Sequence, residues 1–318
     1  MSALPSPLLS LPGAVEADPP DAGVAAHYGD PMREQRLLAA GEAFVDLSHR
    51  GVVRVEGPDR LSWLHSLLSQ HVSSLPAGVP TQALLLSPHG HVEHHLRLVD
   101  DGTATWATVE PGTAPALVEF LRSMQFMLRV SVADVSADWA VLWTPAGERL
   151  VPAADLPEIS GSTPAPAGVW AYEALRVARG EPRRGLDTDH KTIPNEVGWL
   201  ADAVHLDKGC YRGQETVARV HTLGRPPRRL TLLHLDGSVD HLPSHCDRVV
   251  VAGTDREIGF VGSAARHFEL GPIALALLKR NVGVDAPLLV RSGAVEVAAA
   301  QEVLVDPEAG LHVRPHLS

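Results

Sequence analysis

Apolar and polar positions alternate through "GVVRVE", with Val53 and Val55 on one side, which predicts a short strand. Gly57-Pro58 ends it and opens a helix on which Leu61, Leu64 and Leu68 share a face. The two apolar runs of "ALLLSPHGHVEHHLRLV" flank a turn at Pro88, His89 and Gly90, the pattern of a hairpin. The same grammar then repeats. "TATWATVEP" reads as a strand, and "TAPALVEFLRSMQF" sets Leu117, Leu121 and Met124 at helical spacing. "MLRVSVADV" turns Leu128, Val130 and Val132 inward against Arg129 and Ser131, and "WAVLW" adds a strand. The Pro/Ala/Gly segment "VPAADLPEISGSTPAPAG" reads as a surface linker.

From Trp170, "WAYEALRVARG" predicts a helix stopped by Gly180, followed by the turn-rich passage "EPRRGLDTDHKTIPNEVGWL". Beyond "GRPPRR" the character changes to short strands and turns: "LTLLHL", "DRVVVAG", "REIGFVGSA" and Ala294 to Leu304. These predict a separate β-barrel or β-rich domain. "GPIALALLKRN" is too short for its period to separate strand from helix and is assigned to a strand.

Composition narrows the classes. A chain of 318 residues with 45% hydrophobic content is globular and long enough for two or three domains. No apolar run approaches the ~18 residues of a membrane span, so no membrane association is expected. The net charge of -11 argues against a broad phosphate-binding surface, and direct nucleic-acid binding is not expected. Cys210 and Cys246 are the two cysteines, too few for a disulfide framework, and a reduced cytoplasm is the simplest location. The first 26 residues hold no Lys or Arg and carry prolines at 5, 7, 12, 19 and 20. They lack the basic region of a signal or transit peptide and read as a disordered tail.

The chemistry concentrates in "DKGCYRGQETVARV", Asp207 to Val220. Cys210 between Lys208 and Arg212 has the positive surroundings that favour a thiolate, although a structural Cys is also among the most buried residues. Lys208 suits an anion or an ordinary surface position. Gln214 and Glu215 suit a ligand or the start of a helix, where a carboxylate complements the macrodipole. Glu196, in "IPNEVGW", could accept paired N–H bonds from a flat heterocycle or stand solvated on its loop. In "HGHVEHH", His91, Glu93 and His95 would share one face of a strand, either as a metal set or as a polar hairpin; no metal is assigned. No glycine-rich nucleotide loop lies between a strand and a helix. The pairs Arg183-Arg184 and Arg228-Arg229 could hold carboxylates or be surface charge.

"KGCYRGQE" closely resembles the signature of the YgfZ-type folate-binding proteins, relatives of the glycine cleavage T-protein, an aminomethyltransferase. "GPDRLSWLHSLLSQHV", "LRVSVADVSADWAVL", "ALRVARGEPRRGLDTDHKTIPNE" and "VGSAARHFELGPIALALLKRN" resemble further family segments in the same order, over roughly residues 28 to 305. The resemblance implies an α+β chain of three subdomains around a central folate channel, with a C-terminal β-barrel. It divides the chain into the tail 1–26, a folate-binding region 27–228 with a second subdomain at about 97–168, and a barrel 229–318. It further implies tetrahydrofolate or a derivative as cofactor, Lys208 and Cys210 as the catalytic pair, and Glu196, Tyr211, Gly213, Gln214 and Glu215 as folate contacts.

The implied function is a folate-linked accessory role in assembly or repair of iron-sulfur proteins, with indirect effects on tRNA modification and with those proteins or their assembly factors as partners. Two cysteines cannot hold a four-cysteine cluster, so contact with one would be transient. The T-protein carries acids in a hairpin that here reads "GHVEHH", with His94 and His95 in their place and Glu93 as the nearby acid. This departure weighs against the alternatives of an aminomethyltransferase or other one-carbon transferase. A third reading is an interaction module with a vestigial folate pocket.

Overall fold

A computed structural model describes residues 5–159 and 164–313. It has two compact units, each assembled from separated stretches: Met1–His65, Val72–Gln82 and His94–Leu175 in the first, Ser66–His71, Ala83–Glu93 and Arg176–Ser318 in the second.

In the first unit the strand Gly51–Glu56 lies between Ala104–Val109 and Ser131–Asp134, antiparallel to both. Val52, Val53 and Val55 are all buried, as in a strand covered on both faces. Helix Ala114–Ser123 turns Ala114, Leu117, Val118 and Leu121 inward. A β-carbon on Gly51 would lie 2.7 Å from the Cβ of Ala114, so a glycine is required where the helix meets the strand. Two positions expected inside are not. The helix ends at Ser123, and the NH of Met124 closes it on preceding carbonyls, leaving the Met124 side chain exposed. Leu128 is exposed because it belongs to the loop before the strand, which begins only at Ser131.

A second sheet of this unit has the order Gly147–Pro152, Trp139–Thr144, Ala43–Asp46, Ala165–Ala167. The segment expected as a linker therefore supplies a strand end, short helical turns over Ala153–Asp155 and Leu156–Ile159, and the strand Ala165–Ala167; its residues 160–163 lie outside the described residues. Leu156 anchors it, packed with Phe44, Ala140, Leu142 and Val151.

Leu8 joins that same core, which corrects the expectation of a disordered tail for residues 5–26; residues 1–4 lie outside the described residues. Ser6 caps a short helical turn at Pro7–Ser10 and also donates to Asp46. Asp21 binds His49 at 2.8 Å, and Val15–Glu16 pairs with Ala25–His27. The prolines that looked like breakers set turns on a packed strap.

The second unit carries a closed barrel of six strands: Arg228–Leu235, Arg248–Val251, Glu257–His267, Gly271–Lys279, Leu288–Ser292 and Val295–Val303. Arg228–Leu235 closes it by pairing with Val295–Val303. Ala274, Ala276 and Leu278 share the buried core with Leu233, Val249, Val261, Val290 and Val297, and this period of two confirms the strand assignment for "GPIALALLK". The fold is the expected α+β architecture with a C-terminal barrel. The barrel starts at Arg228, and its compact unit also takes in residues 176–227. Among the described residues no helix is long and apolar enough to cross a membrane.

Leu8 is fully buried. Leu8→Ala is therefore expected to lower stability by about 2–4 kcal/mol in urea unfolding, the cost of a cavity in a packed core. A loss below about 0.5 kcal/mol, the level of a surface change, would show that the strap contributes nothing.

Candidate functional site

The helix Arg60–Leu67 ends just before Leu68, so the Leu68 carbonyl has no helical partner ahead of it. Lys208 supplies one. Its Nζ donates to the carbonyls of Leu68 and Gln70, the second at 3.2 Å, and lies 5.1 Å from the centre of the Tyr211 ring. Burial pulls the Lys208 ammonium down to about 8 and pushes the Tyr211 hydroxyl up to about 12. The same connector is fixed by Ser69, whose Oγ donates to Ala203 O at 2.6 Å and accepts from Leu84 N at 2.8 Å.

Gly213 begins the helix Gln214–Leu223 at a positive φ of 81°. A β-carbon there would lie 2.4 Å from Ser87 O, and one on Gly90 would lie 2.8 Å from the Cβ of Thr216. The two glycines let the hairpin turn lie directly against the helix N-terminus. Arg212 reaches the same hairpin, donating to Glu93 at 2.8 and 3.4 Å. Gln214 Nε2 donates to Lys208 O at 3.4 Å, and Glu215 is exposed in the first helical turn. Cys210 is exposed, between the buried side chains of Lys208 and Tyr211. The motif is thus a loop tied down on both sides, with its thiol left in solvent.

Glu196 ends a turn opened by Pro194 and is 1% exposed. Its Oε2 accepts from Ile193 N at 3.1 Å and from Arg228 Nη2 at 2.9 Å, and its Oε1 accepts from Arg228 Nε at 2.8 Å. Arg228 also donates to Asp189 at 2.6 and 3.1 Å. Burial works against the Arg228 cation, but the hydrogen bonds to Glu196 and Asp189 outweigh it and hold the guanidinium above its ordinary value. Beside Glu196, Asn195 donates from Nδ2 to Val217 O at 3.4 Å, while its buried Oδ1 has no donor among the described residues.

A carboxylate offers about four acceptor positions, and Glu196 uses three. The turn therefore holds two adjacent acceptors with spare capacity, the Asn195 Oδ1 and one position on Glu196. Sequence reading found Glu196 but not Asn195 or Asp189. The dipeptide Arg228-Arg229 was the available sign of a counter-ion, and it did not say which acid each would meet.

The hairpin histidines do not converge. His95 hydrogen-bonds Gln82 at 2.7 Å, Glu93 is engaged by Arg212, and the His91 ring lies tilted 6.1 Å from that of His89. Among the described residues no three His, Cys, Asp or Glu side chains could hold a metal ion. Burial, helped by the charge of Arg97, lowers His95 to about 3, so its imidazole is neutral near pH 7.

No family model matches the chain. Its structure is similar to glycine cleavage system aminomethyltransferase T from Bartonella henselae, with a TM-score of 0.79 over 95% of this chain and 97% of that one, at 17% identity. That likeness defines the fold class, the aminomethyltransferase T fold. By sequence it is 26% identical to the tRNA-modifying protein YgfZ of Edwardsiella ictaluri, covering 76% of this chain and 86% of that protein. It is 24% identical to an aminomethyltransferase of Moorella thermoacetica, over 85% and 86%. It is 25% identical to the mitochondrial iron-sulfur cluster assembly factor IBA57 homolog of Mycosarcoma maydis over 58% of this chain. The alignment spans about half the length of that fungal protein, 55%. The chain is thus similar in fold to an aminomethyltransferase T and in sequence to YgfZ, IBA57 and aminomethyltransferase proteins.

Replacing Lys208 by Met leaves the Leu68 and Gln70 carbonyls without their donor, and a loss of about 1–3 kcal/mol in urea unfolding is expected. A stability equal to wild type would mean that water takes over both bonds.

For His95 the folded-state value lies below the unfolded one, 6.5 falling to about 3. Above pH 6.5 neither state takes the proton. As pH falls from 6.5 towards 3 only the unfolded chain takes it, so stability is lost on acidification by up to about 1.4 kcal/mol per pH unit. Urea midpoints at pH 7 and pH 5 should therefore separate less in His95→Gln than in wild type. Equal separation would show that His95 is not held neutral.

Proposed function

We propose that this chain is a folate-binding accessory protein in the assembly or repair of iron-sulfur proteins, touching tRNA modification only through the enzymes it serves. The observation that carries the reading is Cys210: it is the exposed thiol of a loop whose Lys208, Tyr211 and Gly213 are committed to holding that loop in place. A thiol presented in this way can meet a metal cluster or a partner protein transiently. The names of the YgfZ and IBA57 relatives support the role, and those relatives make iron-sulfur proteins or their assembly factors the expected partners. A cytoplasmic location belongs to the same reading.

Tetrahydrofolate or a derivative is the expected ligand. When bound it supplies a carrier for one-carbon units. Asn195 Oδ1 and the remaining acceptor position of Glu196 would take its N–H groups, and Arg228 keeps the Glu196 carboxylate in a single orientation. Gln214 and Glu215, at the start of their helix, complete the proposed contacts, and Lys208 acts as a positioning residue through Leu68 and Gln70. A transferase reading is less supported because the hairpin holds a neutral His95 and a Glu93 already paired with Arg212.

The test is aconitase activity under oxidative stress in cells lacking this protein, complemented with wild type, Cys210→Ala or Lys208→Arg. Wild type should restore activity, Cys210→Ala should leave it near the deletion level, and Lys208→Arg should fall between them. If Cys210→Ala rescues fully, the thiol has no part in the function. If the deletion leaves aconitase untouched, the accessory role fails and one-carbon transfer to tetrahydrofolate becomes the activity to assay.

A further inference from the structure

Among the described residues, Arg50, Arg176 and Arg229 stand among the largest fully buried side chains. Arg50 has Glu148 at 2.9 Å, and Arg176 has Asp187 at 2.9 Å. Arg229 has no carboxylate among the described residues. Its Nη1 donates to Thr231 Oγ1 at 2.6 Å, its Nη2 to Gln301 Oε1 at 2.7 Å, and its Nε finds no acceptor. Both acceptors are neutral. A guanidinium cannot shed its charge at physiological pH, so this cation is buried without a counter-ion. An unpaired buried ion is among the costliest arrangements in a protein.

The surrounding acids are committed elsewhere. Arg228, next in the chain, holds Glu196 and Asp189, and Glu302 pairs with His234 at 2.9 Å. Leu233 and Leu235 fill the barrel core, and the two-residue period of the strand carries Thr231 and Arg229 to the same side. The edge of Arg229 formed by Nε and Nη2, the geometry that forks onto an oxyanion, is the edge lacking charge. It meets only Gln301 Oε1. Gln301 in turn donates from Nε2 to Gly283 O at 2.9 Å and Ala286 O at 2.8 Å, so one neutral side chain ties the 283–286 turn to the guanidinium.

We propose that Arg229 is the floor of an oxyanion site inside the barrel, which takes a carboxylate or a phosphate group in place of Gln301 Oε1. Displacing that amide frees the tether on the 283–286 turn, which gives the anion its way in. The site is independent of the folate reading, because none of its residues belongs to the turn at Glu196 or to the Cys210 loop.

The probes are inorganic phosphate and glutarate, each compared with sodium chloride at equal ionic strength, in thermal unfolding of the full chain. For wild type the midpoint should climb with the logarithm of anion concentration, by roughly 5 °C at a hundredfold excess over the dissociation constant. Whichever anion acts at the lower concentration names the source. Arg229→Met should lose the response. Thr231→Asp sets a carboxyl carbon where Oγ1 now sits, with its oxygens one bond nearer the guanidinium as a counter-ion, and should raise the starting midpoint while losing the response. A wild-type midpoint unmoved by both anions overturns the site, whatever the variants do. So does a response of equal size in Thr231→Asp, which keeps the test decisive even if Arg229→Met does not fold.

Discussion

The exposed thiol depends on a buried ammonium. Lys208 joins two main-chain carbonyls just past a helix end and packs over Tyr211, and those contacts fix the path of the loop that carries Cys210. Removing an ammonium from water is costly unless its donors are used, and the two carbonyls are groups that would otherwise be unsatisfied themselves. Each side of this contact therefore solves the other's problem. On the far side of the loop, two glycines bring the hairpin turn and the helix Gln214–Leu223 closer than any side chain would allow. A short loop pinned at both ends can offer one residue outward without the flexibility that would blur its position.

Much of the fold was legible because burial on one face leaves a period in the sequence. Leu117 and Leu121 on their helix and Val53 and Val55 on their strand lie where the pattern placed them, while "GPIALALLK", whose run was too short to carry a period, proves to be a strand. The failures have a common physical cause. Met124 and Leu128 continue a period past the point where the backbone stops being regular, and a pattern of side chains does not record where hydrogen bonding ends. The Pro-rich stretch before residue 27 has no period to read, yet Leu8 completes a core made by Phe44, Leu142 and Leu156. Its order comes from contacts distant in sequence, which composition does not report.

The site was legible as chemistry and illegible as wiring. "KGCYRGQE" stood out because thiol, ammonium, guanidinium and carboxylate are crowded between glycines, and Glu196 stood out on its turn. What the sequence withheld was the pairing: Lys208 with Leu68 and Gln70, Arg212 with Glu93, Glu196 with Arg228. Such partners lie 32 to 140 positions apart, and no local rule selects among them. Gly213 shows the same ambiguity, since a glycine that admits a ligand and one that admits a hairpin are written identically.

Charge placement ties these observations together. The chain carries an excess of acids, and the buried Arg50 and Arg176 each meet one, Glu148 and Asp187, while Arg228 holds two carboxylates at once and the buried Arg229 meets neutral acceptors. Such pairing locks an acid's orientation as firmly as it stabilises the base, which is why Glu196 can serve a ligand only through the acceptor capacity that Arg228 leaves. The hairpin follows the opposite strategy: burial neutralises His95 instead of pairing it. Near pH 7 the hairpin holds an uncharged His95 ring and a Glu93 carboxylate paired with Arg212. A carboxylate acting there would first have to leave Arg212, whereas the Cys210 thiol is already accessible.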